Sequence, residues 1–239
     1  MLIEALIISI LIFFQSIFGV GLLLFGTPTF LLLNYNFLDT LNILLPISVS
    51  ISLLQLIYSK KKNLEFKNNF NLFTLPFLVF SLFLVINFLE VVNIEVYIGI
   101  LIIIFSILSL NKKKINFLKK VSIGRQKFLL SLLGVIHGLS NLGGSLLTIL
   151  SSVINKDDKI KTRFCISYGY AVMGVLQLLI LYFFSNSHIK INNLLFILLV
   201  FIIYFPSQKV FHKFNGLKFS NYLNMFALLY GVFILIKHI

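Results

Sequence analysis

The chain has 239 residues, of which 59% are apolar and 11% charged, with a mean hydropathy of +1.04. A soluble domain of this length has no interior large enough for so many Leu, Ile and Phe side chains, so the composition points to lipid as the solvent. The formal charge of +13 falls between apolar runs and not on any candidate soluble domain, which argues against nucleic-acid binding and reads as orientation charge in a bilayer.

The first apolar stretch, residues 2–33, is interrupted by Gly19-Val20-Gly21 and by Gly26-Thr27-Pro28. Its start, Met1-Leu2-Ile3-Glu4, lacks the basic region and small-residue cleavage site of a secretory signal, so it is expected to remain in the fold. As a single helix this stretch would be about 48 Å long, well beyond a hydrocarbon core of about 30 Å. Apolar runs at 40–58, 70–88 and 91–110 follow, each long enough to cross. Residues 111–127 then carry Lys112, Lys113, Lys114, Lys119, Lys120, Arg125 and Lys127 and read as a basic cytoplasmic loop. This loop separates a first transmembrane repeat, 1–110, from a second, 128–239. The second opens on another broken stretch, 128–154, with His137-Gly138 and Asn141-Leu142-Gly143-Gly144-Ser145 in its middle. Runs at 164–184, 191–205 and 219–236 complete it. Cys165, the lone cysteine, lies in an apolar segment and reads as packing.

The expected fold is an all-α polytopic membrane protein of two related halves, with six full spans and two glycine-broken segments, about eight transmembrane helices by hydropathy. If the broken stretches cross as kinked spans, Lys and Arg divide 13 against 7 across the membrane. If each dips in and returns, the division becomes 18 against 2, with only Lys190 and Lys237 outside. Positive residues in short loops set orientation, so the re-entrant solution is preferred. Each half is then a hairpin followed by three crossings, an odd number, which makes the halves an inverted repeat. Ser52-Leu53-Leu54-Gln55-Leu56-Ile57 resembles Gly174-Val175-Leu176-Gln177-Leu178-Leu179 at an offset of 122, and Gly19 and Gly138 stand 119 apart.

Polar groups inside spans are the functional candidates, because each is unfavourable in lipid unless paired or hydrated. The amides Gln15, Asn42, Gln55, Asn141 and Gln177 lead, since each must satisfy two donors and an acceptor. Hydroxyls such as Ser16, Ser48, Ser52, Ser140, Ser167 and Tyr168 are as readily explained by bonds to helix backbone. Thr27 and Ser145 join the candidates at the breaks, with the glycines Gly19, Gly21, Gly138, Gly143 and Gly144, where sharp turns and close backbone approach are possible. Half-helices beginning at Thr27-Pro28 and after Gly143-Gly144 would aim free N–H groups at the interior and favour an anion. No span centre offers Asp or Glu to a cation. His137 is placed to relay a proton or bind an anion, or simply to bond a backbone carbonyl as a neutral imidazole. Arg163 reads as an orientation charge, or as a recruiter of anions at the inner mouth. No His-x-x-x-His, nucleophile elbow or Walker A motif is present, so neither an enzyme, a metal site nor a cofactor is expected.

These segments resemble the sulfite exporter TauE/SafE (TSUP) family of membrane transporters. The likeness rests on Gln15 to Gly21 with Gly26-Thr27-Pro28, on Leu44-Leu45-Pro46 with Leu54-Gln55-Leu56, and on Gly134 to Gly138 with Asn141 to Ser145 and Gln177. The resemblance implies an inner-membrane permease for small anions, often sulfur oxyanions or organosulfonates. The expected partners are the lipid bilayer and a small anionic substrate, with a homo-oligomer left open. The alternative is a non-catalytic membrane subunit of a larger complex.

Overall fold

The computed structural model describes residues 2–88, 125–155, 158–185 and 191–213, with Val96, Ile100, Ile103, Val232 and Ile236 as isolated positions. Apart from those positions, the expected runs at 91–110 and 219–236, and the basic loop up to residue 124, lie outside the described residues. Among the described residues all regular structure is helical. The helices are α1 (Leu2–Phe18), α2 (Leu22–Leu32), α3 (Phe37–Ile57), α4 (Leu64–Phe73), α5 (Leu75–Phe88), α6 (Gln126–Ser140), α7 (Gly144–Ile154), α8 (Lys159–Phe184), α9 (Ile191–Leu194) and α10 (Phe196–Lys213). Four are long and apolar enough to cross a membrane: α3, α4 and α5 taken together, α8 and α10. The run expected at 70–88 therefore begins earlier, at Leu64, and that at 191–205 continues to Lys213. Phe80, Phe183, Leu198 and Ile202 point outward from these helices, as a lipid-facing surface requires. The fold is that of a helical, membrane-embedded protein.

Each broken stretch doubles back on itself. Gly19 at φ +76 and Gly21 at φ +141 adopt backbone angles closed to most side chains, and they release the chain from α1. The return is antiparallel, because Gly26 lies against Leu11 and the Tyr35 hydroxyl donates to the Glu4 carboxylate near the start of α1. That carboxylate pushes the Tyr35 phenol up to about 12. The half-helix expected to start at Thr27-Pro28 starts instead at Leu22, with Pro28 in its interior. The two glycines break the chain first, leaving Pro28 only to deprive the Leu24 carbonyl of its helical donor.

In the second stretch α6 runs parallel to α5. A Cβ at Gly134 would stand 2.2 Å from the Thr74 carbonyl, and one at Gly138 would stand 2.0 Å from Ser81 Oγ. Asn141, left-handed at φ +62, ends α6 and donates its N–H to the His137 carbonyl at 2.8 Å. Then α7 returns until Asn155 accepts from Asn63 Nδ2 at 2.9 Å, beside the start of α4. Both ends of this stretch thus face the end of the molecule where α4 begins.

Corresponding elements recur at one spacing. Helices α2 and α7 have 11 residues each and start 122 residues apart, as do α3 and α8, while α1 and α6 end 122 apart. At this spacing the counterpart of Gly19 is Asn141, not Gly138, and both are left-handed. Helices α3 and α8 run antiparallel, since Ser167 bonds Gln55 while Gly174, further along α8, meets Val49, further back on α3. Lys61 and Asp158 form an ion pair at 2.7 Å at the end where α3 finishes, and Lys159 reaches Phe211 there. Glu4 and Asp39 occupy the opposite end, at the starts of α1 and α3.

Candidate substrate site between the two broken stretches

The sequence caps α3, α4 and α8 with side chains: Asn36 accepts from Asp39 N–H, Asn63 from Phe66 N–H, and Asp158 from Ile160 and Lys161 N–H. The half-helices α2 and α7 differ, because their N-caps are Gly21 and Gly143 and no side chain caps either. In each the first intrahelical donor is the fourth residue, Phe25 bonding Gly21 at 2.9 Å and Leu147 bonding Gly143 at 2.9 Å. The preceding N–H groups have no partner within the helix and carry the positive end of its dipole. Both starts are buried, and they meet. A Cβ on Gly144 would stand 2.8 Å from Val20 Cγ2, and Asn141 Nδ2 donates to Thr27 Oγ1 at 3.1 Å.

The predicted residues fall into two groups. Around Gln15 the side-chain amides are satisfied by protein. Gln15 Nε2 donates to Ser48 Oγ at 2.9 Å and to Ser52 Oγ at 3.3 Å, and Ser48 Oγ donates back to Gln15 Oε1 at 3.3 Å. Gln55 Nε2 donates to the Gln15 carbonyl at 2.8 Å and the Ser16 carbonyl at 3.2 Å, and its Oε1 accepts from Ser167 Oγ at 2.7 Å. Both carbonyls sit in the last turn of α1; that of Gln15 still accepts from Gly19 N–H at 2.8 Å, and Gln55 serves as a side-chain cap for that of Ser16.

The second group is the reverse. His137 is fully buried, and its Nδ1 accepts from Gly143 N–H at 3.2 Å. A neutral ring accepting at Nδ1 carries its proton on Nε2, and that Nε2–H has no partner. The Tyr170 hydroxyl, both polar atoms of the Gln177 amide and Asn141 Oδ1 are likewise buried and unpartnered. They lie close together. The His137 and Tyr170 rings meet edge-on with centroids 5.8 Å apart, and the Gln177 amide approaches the imidazole. A Cβ on Gly144 would come within 1.8 Å of the Tyr170 hydroxyl, so only glycine lets that oxygen reach the start of α7. Buried polar groups are nearly always bonded, and each left alone costs about 1–3 kcal/mol. Several at one place make this cluster the candidate site.

Gln55 and Gln177 therefore cannot grip one small ligand: Gln55 bonds Ser167, ten residues or about 15 Å along α8 from Gln177. Asn42 is buried and partnered further back on α3, thirteen residues or about 20 Å from Gln55. Gly138 is taken up by packing on Ser81, and Gly19 and Gly21 by the reversal itself. Ser145 is half-buried in the first turn of α7. Tyr170 is the residue that sequence reasoning missed. Tyr168, singled out instead, faces Asn71 at 2.9 Å. The available signal was spacing, because Tyr170 precedes Gln177 by seven residues, two turns along one helix face.

No family model, curated protein or solved structure matches the chain.

Proposed function

We propose that this protein is an inner-membrane secondary transporter for a small anion, of the sulfur oxyanion or organosulfonate class that its resemblance to TauE/SafE proteins implies. One observation carries the reading: His137 and Tyr170, each with a buried unbonded donor, meet at the uncapped start of α7, with the Gln177 amide beside the imidazole. Neutral donors and a helix N-terminus suit an anion, and no carboxylate belongs to the group. The two halves act as inverted repeats, a reading supported by the common 122-residue spacing and by the opposed directions of α3 and α8. The stretches α1–α2 and α6–α7 re-enter from opposite faces, with the Lys61, Lys159 and Lys209 end in the cytoplasm. Substrate binds where the breaks meet, and the halves rock to alternate access.

Purified protein in liposomes should move sulfite or a small sulfonate down an imposed ion gradient, faster than protein-free vesicles. Absence of movement for every small anion tried, by protein that retains its fold, would overturn the reading.

A further inference from the structure

The charge that the central site can neutralise follows from its parts. His137 Nδ1 accepts the Gly143 N–H at 3.2 Å. An imidazolium carries N–H on both nitrogens and accepts nothing, so this bond holds the ring neutral. The contact is built into the chain, because a Cβ on Gly143 would stand 2.8 Å from His137 Cβ and 3.1 Å from its Nδ1. Tyr170 adds a neutral hydroxyl, buried and unbonded, against the first residue of α7. Gln177 adds a neutral amide beside the imidazole.

The helices packed around these groups bring no formal charge to them among the described residues. Helices α2, α5 and α7 contain no Asp, Glu, Lys or Arg. On α8 the nearest is Arg163, seven residues or about 10 Å before Tyr170, and it donates from Nη1 to Gln208 Oε1 at 2.9 Å while stacking on Phe211. Lys127 stands over the Phe73 ring, ten residues or about 15 Å before His137 on α6. On α4, Glu65 lies in the first turn, and Lys67 stands over Tyr168, two residues from Tyr170 and so on the opposite side of α8. On α3, Asp39 lies ten residues or about 15 Å before Val49, which meets Gly174.

The positive potential that remains is fractional. The starts of α2 and α7 are buried, uncapped by side chains and in contact, and each helix end amounts to about half an elementary charge, so together they offer about one. The hydration an ion gives up on burial grows as the square of its charge, about fourfold from a monoanion to a dianion of equal size. A second negative charge would thus be stripped of water and meet no positive one. Resting on the carrier reading, we propose that this site is matched to a single negative charge and selects monoanions, organosulfonates and hydrogen sulfite, over the dianions sulfate and sulfite. Methanesulfonate and sulfate share a tetrahedral centre with oxygens in the same array, so hydrogen bonding alone would favour sulfate, which has one more acceptor. The lack of a formal cation reverses that order.

The test is binding to full-length protein in detergent, at neutral pH and constant ionic strength, with radiolabelled methanesulfonate and sulfate as probes. Methanesulfonate should bind at least about tenfold more tightly than sulfate, and Tyr170→Phe should weaken its binding about tenfold, which places it at this site. The net charge of +13 draws a dianion to the protein more strongly than a monoanion, so the expected order does not arise at the surface. Sulfite repeats the comparison in one molecule, since hydrogen sulfite loses its proton near neutrality. Its binding should weaken as the medium passes from slightly acid to slightly alkaline, while that of methanesulfonate stays constant. Sulfate bound as tightly as methanesulfonate or more so, and still weakened by Tyr170→Phe, would overturn the charge selection and leave the carrier reading standing. Binding of neither anion, or binding that Tyr170→Phe leaves unchanged, would overturn both.

Discussion

Tyr170→Phe separates stability from function at the central site. The substitution removes one oxygen and keeps the ring, so the edge-on contact with His137 at 5.8 Å survives. That oxygen is fully buried with no protein partner, an arrangement that costs about 1–3 kcal/mol. Phenylalanine should therefore leave the empty protein as stable as before or more so. Each kcal/mol corresponds to about 2–4 °C in Tm for a chain of this size. With an anion bound, the hydroxyl donates to charge, and losing a charge-assisted bond costs about 1.5–3 kcal/mol, or roughly 10- to 150-fold in affinity. The expected pattern is an unchanged or raised melting temperature without anion, a smaller shift on adding sulfite, and slower uptake into liposomes. A variant more than about 1 kcal/mol less stable, with native uptake, would show that the hydroxyl holds the fold and would refute the reasoning.

Gln177→Leu should follow the same pattern, losing transport with little change in melting. Gln55→Leu should do the opposite, because it uncaps α1 and leaves Ser167 without its acceptor; a loss of about 2–4 kcal/mol is expected in thermal or denaturant melts. His137→Gln should insert and melt near native, since a glutamine can accept from Gly143 N–H and donate toward Tyr170, as Gln15 does among its serines. If uptake by His137→Gln is abolished while substrate still binds, the imidazole relays a proton and is not merely an anchor. The Lys61 ammonium, followed by the Lys161 backbone N–H, holds the Asp158 carboxyl below the usual aspartate range. A depressed folded value means that this contribution is complete above about pH 5 and fades as pH falls through the folded value. Melting temperature should thus show no Asp158-dependent change between pH 7 and 5, and Asp158→Asn should flatten only the fall at lower pH.

The reversals were legible because glycine clusters and loop charge are local properties of the chain. Counting Lys and Arg favours a returning stretch, and the Tyr35–Glu4 bond joins the two ends of the first one. Where each reversal begins was less legible. Gly26-Thr27-Pro28 and Gly19-Val20-Gly21 look equally disruptive on paper, yet only the backbone angles of Gly19 and Gly21 reveal which pair turns. The site was half legible for a different reason. A buried amide in lipid announces that it needs partners, but not whether the protein supplies them. Gln55 finds the end of α1 and becomes a cap; Gln177, its counterpart by spacing, has only the His137 imidazole nearby and forms no well-aligned bond. That difference depends on residues far apart in sequence, so no local pattern carries it. Tyr170 was hidden similarly, since a tyrosine among aromatic residues reads as packing until its hydroxyl is seen against Gly144.

In the proposed carrier the contrast between counterparts has mechanistic content. Gln15 occupies on α1 the place that His137 occupies on α6, and one set is closed while the other is open. Alternation would have the two sets exchange these conditions. Opening the Gln15 set breaks several hydrogen bonds of about 0.5–1.5 kcal/mol each, and nothing within that set compensates. A ligand shifts the balance only through a difference in affinity between states. The His137 set provides that difference, because its donors are available while it is open and would be consumed by protein if it closed. The Gln15 set offers an anion nothing while its amides are bonded to Ser48, Ser52 and the end of α1. Asymmetry between otherwise matching halves is then what makes the arrangement responsive to substrate, with His137, Tyr170 and Gln177 as the responsive side.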